Sequence, residues 1–393
     1  MNTPSTHCLS STLRRSGSAM LLLIVAGCAT VSPDGGVADL EQLTAGKTIG
    51  SATGTTTARI ARPGVDSAAA VADLLKAPLT ADAAVRVALL NNPGLQVALA
   101  SSGVNISDAV SASNQAKRQA QQDITLLSAQ ARKAWVNAVA ASQTARYMAD
   151  VKAAAEAGGE LARRMARVGN WSKLQQAREQ ALLADATAQL ARARQTAFSE
   201  REKLVLIMGL WGAQTRFELP DQLPDLPQQA LEIPDIEARA LQERLDVRLA
   251  TAQWQALQAK PRESGPDGLW DGMRDSARVR EVAIKARSEA REAYHGYRTA
   301  YDLARHYRDE VVPLRKFIND EMMLRYNGML ASVWDLLADT RAQVMSVNSA
   351  IEAQRDFWLA EADLQTLLAG ASPGALAGLR PGATANGPAP AAH

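Results

Sequence analysis

A long row of apolar residues within 279–368 restricts this chain more than any other feature of its sequence. In 279–311, apolar or small residues recur every three or four positions over about nine helical turns, which is the spacing of one buried helix face. The row then takes a seven-residue period in Leu330, Leu337, Val344, Ile351 and Trp358. A turn at 327–328 separates the two stretches, so the pattern predicts two long antiparallel helices packed as a coiled coil. The companion row turns polar at Gln354 and Glu361, which predicts a narrower seam there.

The composition favours long helices over a compact globule. Of the 393 residues 47% are hydrophobic but only 4% aromatic, and much of the apolar share is alanine, a helix former that buries little area. The net charge is +2 with both signs interspersed, and no basic run adjoins aromatic residues, so nucleic-acid binding has no support. The only cysteines, Cys8 and Cys28, lie near the N-terminus, so the body has no disulfide framework or thiolate metal cluster.

The N-terminus has the layout of a secretory signal. Two arginines at 14–15 precede an apolar run at 19–26 that is too short to span a bilayer. The run ends in VAGC at 25–28, which resembles the bacterial lipoprotein box, and this resemblance implies cleavage before Cys28 and its acylation. Ala29 stands where an inner-membrane retention signal would have Asp, so the resemblance implies sorting to the outer membrane. An ordinary signal peptide with a chance cysteine is the alternative.

The rest of the chain contains two copies of one unit. The first copy opens with LTADAAVRVALLNNPGL at 79–95, which predicts a short helix capped by Thr80 and broken at the Asn-Pro-Gly. The segment 237–250 aligns without gaps on 85–98 and opens the second copy. The copies also end alike, in LIMG and LLAG. The alignment predicts an internal structural repeat.

Each copy leads into a predicted helical hairpin. The turns lie at 167–174 and 325–335, where Ser172 and Ser332 can cap the helix that follows. Pro313 interrupts one arm, which predicts a kink and not a stop. The first hairpin has facing seams at Ile124, Leu127, Ala131, Trp135 and Val139, and at Leu183, Ala186, Leu190, Ala193, Ala197, Leu204 and Ile207.

Two of these segments resemble the signatures of a known family. The stretch 79–95, and RLDVR at 244–248 in the second copy, are similar to the repeat signatures of the outer-membrane efflux proteins, the TolC-like channels of tripartite export pumps. The similarity covers roughly 79–370. The resemblance implies an all-α body of long antiparallel coiled-coil hairpins in two tandem repeats. It also implies a homotrimer whose periplasmic helical tunnel docks with a periplasmic adaptor protein and an inner-membrane pump.

The same resemblance implies roles for the hairpin turns. The tips would meet the adaptor through Gly169, Asn170, Trp171, Ser172, Asn327, Gly328, Met329 and Ser332. Gly169 and Gly328 are expected to stand where a side chain is poorly tolerated. Asp335 and Asp339, one turn apart just past the second tip, are candidates for the mouth of a channel in a trimer. An exposed helix face is the alternative for these two residues.

The sequence departs from the family where membrane strands would stand. The connectors at 103–114 and 261–272 have about a dozen residues each, whereas a strand hairpin that crosses the membrane needs roughly twenty. We therefore expect loops or short helices there, and little or no β-barrel. Two functions remain open. One is a lipid-anchored efflux component on the periplasmic face of the outer membrane, and the other is a non-conducting accessory lipoprotein with the same hairpins.

The sequence also predicts the division of the chain into segments. These are a lipoprotein signal peptide at 1–27, a lipid-anchored linker at 28–77, a first repeat at 78–219, a Pro-rich strap at 220–235, a second repeat at 236–370 and a disordered tail at 371–393.

Residues that could support chemistry are few. No phosphate-cradling loop and no nucleophile context occurs, so we expect neither an enzyme nor a cofactor. His295 and His306 lie three helical turns apart, too far to bind one metal ion within a protomer. Met322, Met323 and Met329 are interpreted as packing at the second tip. Together with the histidines they give a slight lean towards export of metal ions over drugs.

Overall fold

The computed structural model describes residues 67–101, 114–259 and 266–374, and helices make up most of them. The α-helices in these ranges are α1 (Ala68–Leu74), α2 (Ala81–Asn91), α3 (Pro93–Ser101), α4 (Asn114–Arg167), α5 (Lys173–Met208), α6 (Ile236–Glu243), α7 (Leu245–Gln258), α8 (Pro266–His306), α9 (Val312–Asn327) and α10 (Val333–Leu368). No β-strand occurs in the described ranges. The predicted all-α fold class is confirmed. None of the described helices combines the length and the apolar character needed to cross a membrane.

Helices α4 and α5 form the first hairpin. They contain 54 and 36 residues, or about 80 Å and 54 Å of helix. The predicted seam of α4 is buried along its whole length, from Ile124 to Val139. On α5 the seam residues Ala186, Leu190 and Leu204 are buried against it. The predicted packing of the first hairpin is confirmed.

The second hairpin has a composite first arm. Helix α8 continues through a π-helical turn at Tyr307–Val311 into α9, and α10 returns. Pro313, the second residue of α9, has no N–H, and its ring clashes with the carbonyl four residues earlier. The arm accommodates Pro313 beside the wider π turn without ending, as predicted. Leu330 lies outside α10 and its side chain is exposed, so its predicted place on the seam is wrong.

An aromatic cluster holds the base of the second hairpin and the segment 220–235. Phe357 of α10 is fully buried against the rings of Tyr297 and Tyr301 of α8. The hydroxyl of Tyr301 donates to the carbonyl of Gln228 at 2.8 Å, and that of Tyr297 accepts from the N–H of Leu231 at 2.9 Å. Hydrogen bonds to backbone groups therefore fix the Pro-rich segment along α8.

The predicted narrowing of the α10 seam is wrong at Glu361. Its carboxylate lies 3.4 Å from the guanidinium of Arg132, a residue of α4 that is itself buried. Burial raises the pKa of Glu361, and the charge of Arg132 opposes this shift. Beyond Glu361, Leu364 and Leu367 are also buried, so α10 stays in the core to its end. The polar residue is accommodated because the other repeat supplies its counter-ion.

In each repeat, the glycine that follows the last long helix packs against the end of the repeat's opening helix. The carbonyl of Gly209 accepts from the Asn91 side chain at 2.7 Å, and the carbonyl of Gly370 accepts from the Leu245 N–H at 3.0 Å. Both glycines have positive φ, +66° and +92°. The gapless alignment matches Asn91 with Glu243, and these are the residues whose backbone oxygens lie against the two glycines. The internal repeat predicted from the sequence is therefore present in the structure.

Candidate functional site

The first hairpin tip reverses the chain with two local motifs. Helix α4 ends in a Schellman motif, in which the N–H of Asn170 bonds the carbonyl of Met165 at 2.9 Å. Gly169 takes the left-handed conformation this motif requires, with φ of +80°. Helix α5 then begins with a capping box, because Ser172 and Gln175 each accept a hydrogen bond from the other's backbone N–H. The predicted cap at Ser172 is confirmed.

The second tip repeats this geometry with different residues. The N–H of Leu330 bonds the carbonyl of Arg325 at 2.8 Å, which again closes a Schellman motif. Ser332 and Asp335 form the capping box of α10, so the predicted cap at Ser332 is also confirmed. The left-handed residue between the two motifs is Met329, with φ of +59°.

The expectation that a side chain is poorly tolerated is therefore wrong for Gly328. For Gly169 it is right as regards the left-handed backbone, but an added Cβ would meet no atom within 4 Å. Gly328 has φ of −80°, and an added Cβ would come no closer than 3.4 Å to another atom. Its counterpart in the first tip is Val168, so a β-branched side chain already stands at this position. Met329 is the counterpart of Gly169. The sequence contained the signal for this, because the left-handed residue precedes the capping serine by three positions in both tips.

Substitutions at the second tip should show where the backbone strain lies. Replacing Met329 with glycine removes a left-handed side chain that costs about 1–2 kcal/mol, less the roughly 0.5–1 kcal/mol entropic cost of glycine. We expect Met329→Gly to stabilise the folded chain by about 0.5–1 kcal/mol, measured by urea unfolding followed by circular dichroism. Gly328→Val should be nearly neutral, whereas Gly169→Val should destabilise. An equal loss of stability in both valine variants would contradict the assignment of Met329, and not Gly328, as the left-handed residue of the second tip.

Both tips expose apolar side chains with no packing role inside the hairpin. Met329 and Leu330 are 94% and 83% exposed, and Val168 and Leu174 of the first tip are 68% and 63% exposed. Trp171 is half-buried. Clustered exposed apolar side chains on an otherwise charged helical surface are typical of a protein interaction site. The tips therefore offer a surface that would gain stability by being covered.

The candidate channel-mouth aspartates both have partners within their own hairpin. Asp335 accepts from the N–H and the hydroxyl of Ser332, at 3.1 and 2.7 Å, and these bonds hold the pKa of Asp335 below its usual value. Asp339 accepts from the side chain of Asn319 on the facing arm at 3.3 Å. Asp335 is exposed and Asp339 half-buried. Their place in a channel mouth stays a prediction, and the structure gives both a local role.

The methionines at the second tip pack less than we expected. Met329 is 94% exposed, so the interpretation of this residue as a packing residue is wrong, whereas Met323 is 45% exposed and is partly covered. His306 lies at the end of α8, where its Nδ1 is 3.1 Å from a carboxylate oxygen of Glu310. No set of three potential metal-ligating side chains comes together among the residues that the structure describes.

Several predicted features fall outside the described residues. They include Cys28, the signal peptide and most of the linker. Residues 103–113 of the first connector, residues 261–265 of the second and the tail from 375 onward also lie outside them, whereas 266–272 of the second connector form the start of α8. Cleavage and acylation at Cys28 remain predictions.

Comparison with known proteins supports the fold. No family model and no curated protein matches the sequence. Among solved structures, a membrane protein from Pseudomonas aeruginosa is similar with a TM-score of 0.52, 15% identity, and coverage of 71% of this chain and 74% of that chain. The Campylobacter jejuni CmeC outer membrane channel is similar with a TM-score of 0.51, 11% identity, and coverage of 70% and 68%. At such low identity the likeness concerns the fold alone. The described part of this chain has the helical-hairpin fold of the TolC-like outer-membrane channels, as the segments 79–95 and 244–248 predict.

Proposed function

We propose that this chain is the outer-membrane component of a tripartite efflux system. Its hairpins would line a periplasmic tunnel in a homotrimer, and its tips would dock with a periplasmic adaptor protein and an inner-membrane pump. The single observation that carries this proposal is the pair of matching tips, which end two tandem hairpins of the channel fold and expose apolar residues. The role is passage of a substrate and not catalysis.

The anchor of the proposed component is a lipid. Acyl chains on Cys28 would hold the protein at the periplasmic face of the outer membrane, because two or more chains are enough for stable anchoring. The linker that follows would connect this anchor to α1. The VAGC sequence at 25–28 supports this part of the proposal.

Site-specific crosslinking in cells tests the docking role. A photoreactive residue at Asn170 or at Leu330, which occupy equivalent places in the two tips, should capture the adaptor. The matched control is Gln195, an exposed residue of α5 about 33 Å along the helix from the first tip. Adaptor captured equally from Gln195, or from no tip position, would contradict docking through the tips.

In this proposal the pump determines which class of substrate reaches the tunnel. Metal-ion export has only the slight support of the methionines and histidines of the second hairpin. Challenging a deletion strain with copper, silver, zinc and hydrophobic drugs side by side separates the two classes.

Purified protein that crosslinks to the adaptor but shows no conductance in planar bilayers would instead be the non-conducting accessory lipoprotein.

A further inference from the structure

A cavity of about 810 Å³ separates the first hairpin from helix α10. Its wall is mainly apolar and includes Val151 and Ala155 of α4, Leu182 of α5, and Leu337 and Val344 of α10. Its volume is in the range of sites that bind drug-sized molecules, roughly 300–1,000 Å³. The cavity begins within about two helical turns of each tip, at Arg178 of α5 and Leu337 of α10, and extends along the two helices away from the tips.

A residue in the wall of this cavity has a buried carboxylate. The Glu179 side chain is 1% exposed, and neither of its carboxylate oxygens forms a hydrogen bond with any residue that the structure describes. One oxygen lies beside Gly158 of α4, where an added Cβ would be 3.6 Å away. Burying an unpaired carboxylate costs several kcal/mol unless a positive charge or hydrogen-bond donor compensates it. Glu179 is therefore a group that a cation in the cavity would stabilise.

The other charged groups around the cavity differ from Glu179 in their exposure. Arg178 and Asp185 on α5 and Arg341 on α10 all line it, and all three are exposed to solvent. Water and salt weaken the field of exposed charges, whereas a charge in the apolar wall acts through a lower dielectric. Burial raises the pKa of Glu179, and the charge of Arg341 opposes this shift. Arg341 is thus close enough to influence Glu179 but forms no hydrogen bond with it.

We propose that this cavity binds an organic cation with an apolar body, and that Glu179 is its counter-ion. The apolar wall would cover the body of the ligand, and the carboxylate would select its charge. A divalent metal ion fits less well, because calcium and magnesium require several oxygen ligands and the buried wall supplies one carboxylate. The proposal does not depend on the role in efflux, since it rests on the cavity and not on the tips.

Two probes of the same shape and opposite charge test the selection. Tetraphenylphosphonium and tetraphenylborate differ in the sign of their charge, and their binding to the purified full-length protein can be compared by isothermal titration calorimetry. The test variant is Glu179→Gln. The matched control is Asp185→Asn, which removes an exposed carboxylate from the same cavity. Circular dichroism of each variant checks that it is folded.

We expect the cation to bind the unmodified protein and Asp185→Asn alike, and to bind Glu179→Gln about tenfold more weakly or worse. The anion should bind more weakly than the cation to the unmodified protein. Equal affinity of the cation for all three proteins would overturn the proposal, as would preferential binding of the anion or no binding of either probe. If Glu179→Gln does not fold, the comparison of the two probes on the unmodified protein still decides.

The pH dependence of cation binding gives a second readout. Protonation neutralises Glu179, so affinity should rise with pH through the raised pKa of this group and then level off. Asp185, the other acid on the cavity wall, is exposed, and Asp185→Asn should retain the same dependence. Glu179→Gln should lose it. A dependence that persists in Glu179→Gln would assign the titration to another group and contradict the proposal.

Discussion

Replacing Gly209 or Gly370 with alanine should destabilise the folded chain by about 2–5 kcal/mol in each case, the sum of backbone strain and overpacking. A Cβ added at Gly209 would lie 2.6 Å from the carbonyl oxygen of Asn91, and one added at Gly370 would lie 2.4 Å from that of Glu243. The neighbours are backbone atoms that cannot rotate away. Urea unfolding followed by circular dichroism measures the loss as a lower midpoint.

Gly212→Ala is the matched control for these two variants. Gly212 has φ of +59°, but an added Cβ would meet no atom within 4 Å. Only the left-handed backbone then opposes the alanine, at about 1–2 kcal/mol. If Gly209→Ala and Gly370→Ala lost no more stability than Gly212→Ala, the close packing of Gly209 and Gly370 against the backbone would be refuted.

Replacing Arg244 with alanine should cost about 3 kcal/mol, because it removes a fully buried guanidinium and leaves two partly buried carboxylates without this partner. The Arg244 side chain has no exposed surface and donates to Asp246 at 2.6 and 2.9 Å, and to Glu289 of α8. The control is Arg248→Ala in the same segment. Arg248 is about half exposed and 3.6 Å from Glu243, so its loss should cost about 1 kcal/mol or less.

The same contact predicts how the effect of Arg244→Ala depends on pH. Burial disfavours ionisation of Asp246, but the hydrogen bonds and charge of Arg244 outweigh it and hold the pKa of Asp246 below its ordinary value. A carboxyl with a lowered pKa stabilises the folded state above its unfolded pKa, and this contribution is lost as pH falls through the folded pKa. The difference in stability between the unmodified protein and Arg244→Ala should therefore shrink below about pH 4. A difference that is constant across this range would contradict the assignment.

The features predicted correctly from the sequence are those that depend on near neighbours or on a regular period. The caps at Thr80, Ser172 and Ser332 each involve a residue three positions on, and the structure forms all three. The hairpin seams follow from the helical period, and residues such as Ile124 and Ile351 are buried as expected. Fold class follows from the same signals, because long seams separated by short turns leave few alternatives.

The features that were missed depend on unusual local conformation or on contacts distant in the sequence. Met329 takes a conformation that methionine rarely adopts, so the neighbouring Gly328 was the natural but wrong choice. Phe357 is fully buried against a pair of tyrosines of α8, and Glu361 is largely buried beside Arg132 of α4. No pattern within α10 shows these partners. For the same reason no pattern within α5 indicates that Glu179 is buried beside a cavity.

The π-helical turn at Tyr307–Val311 has a consequence for the orientation of the second tip. A π turn holds one residue more than an α-helical turn, so every side chain beyond it is rotated by about 100° about the axis relative to an uninterrupted helix. The 16 residues of α9 carry this phase shift to the tip. The rotation of the second tip about the helix axis thus depends on the number of residues in the arm as well as on the residues of the tip. Inserting or deleting a single residue in the arm is the smallest sequence change that would turn an unaltered tip towards a different neighbour.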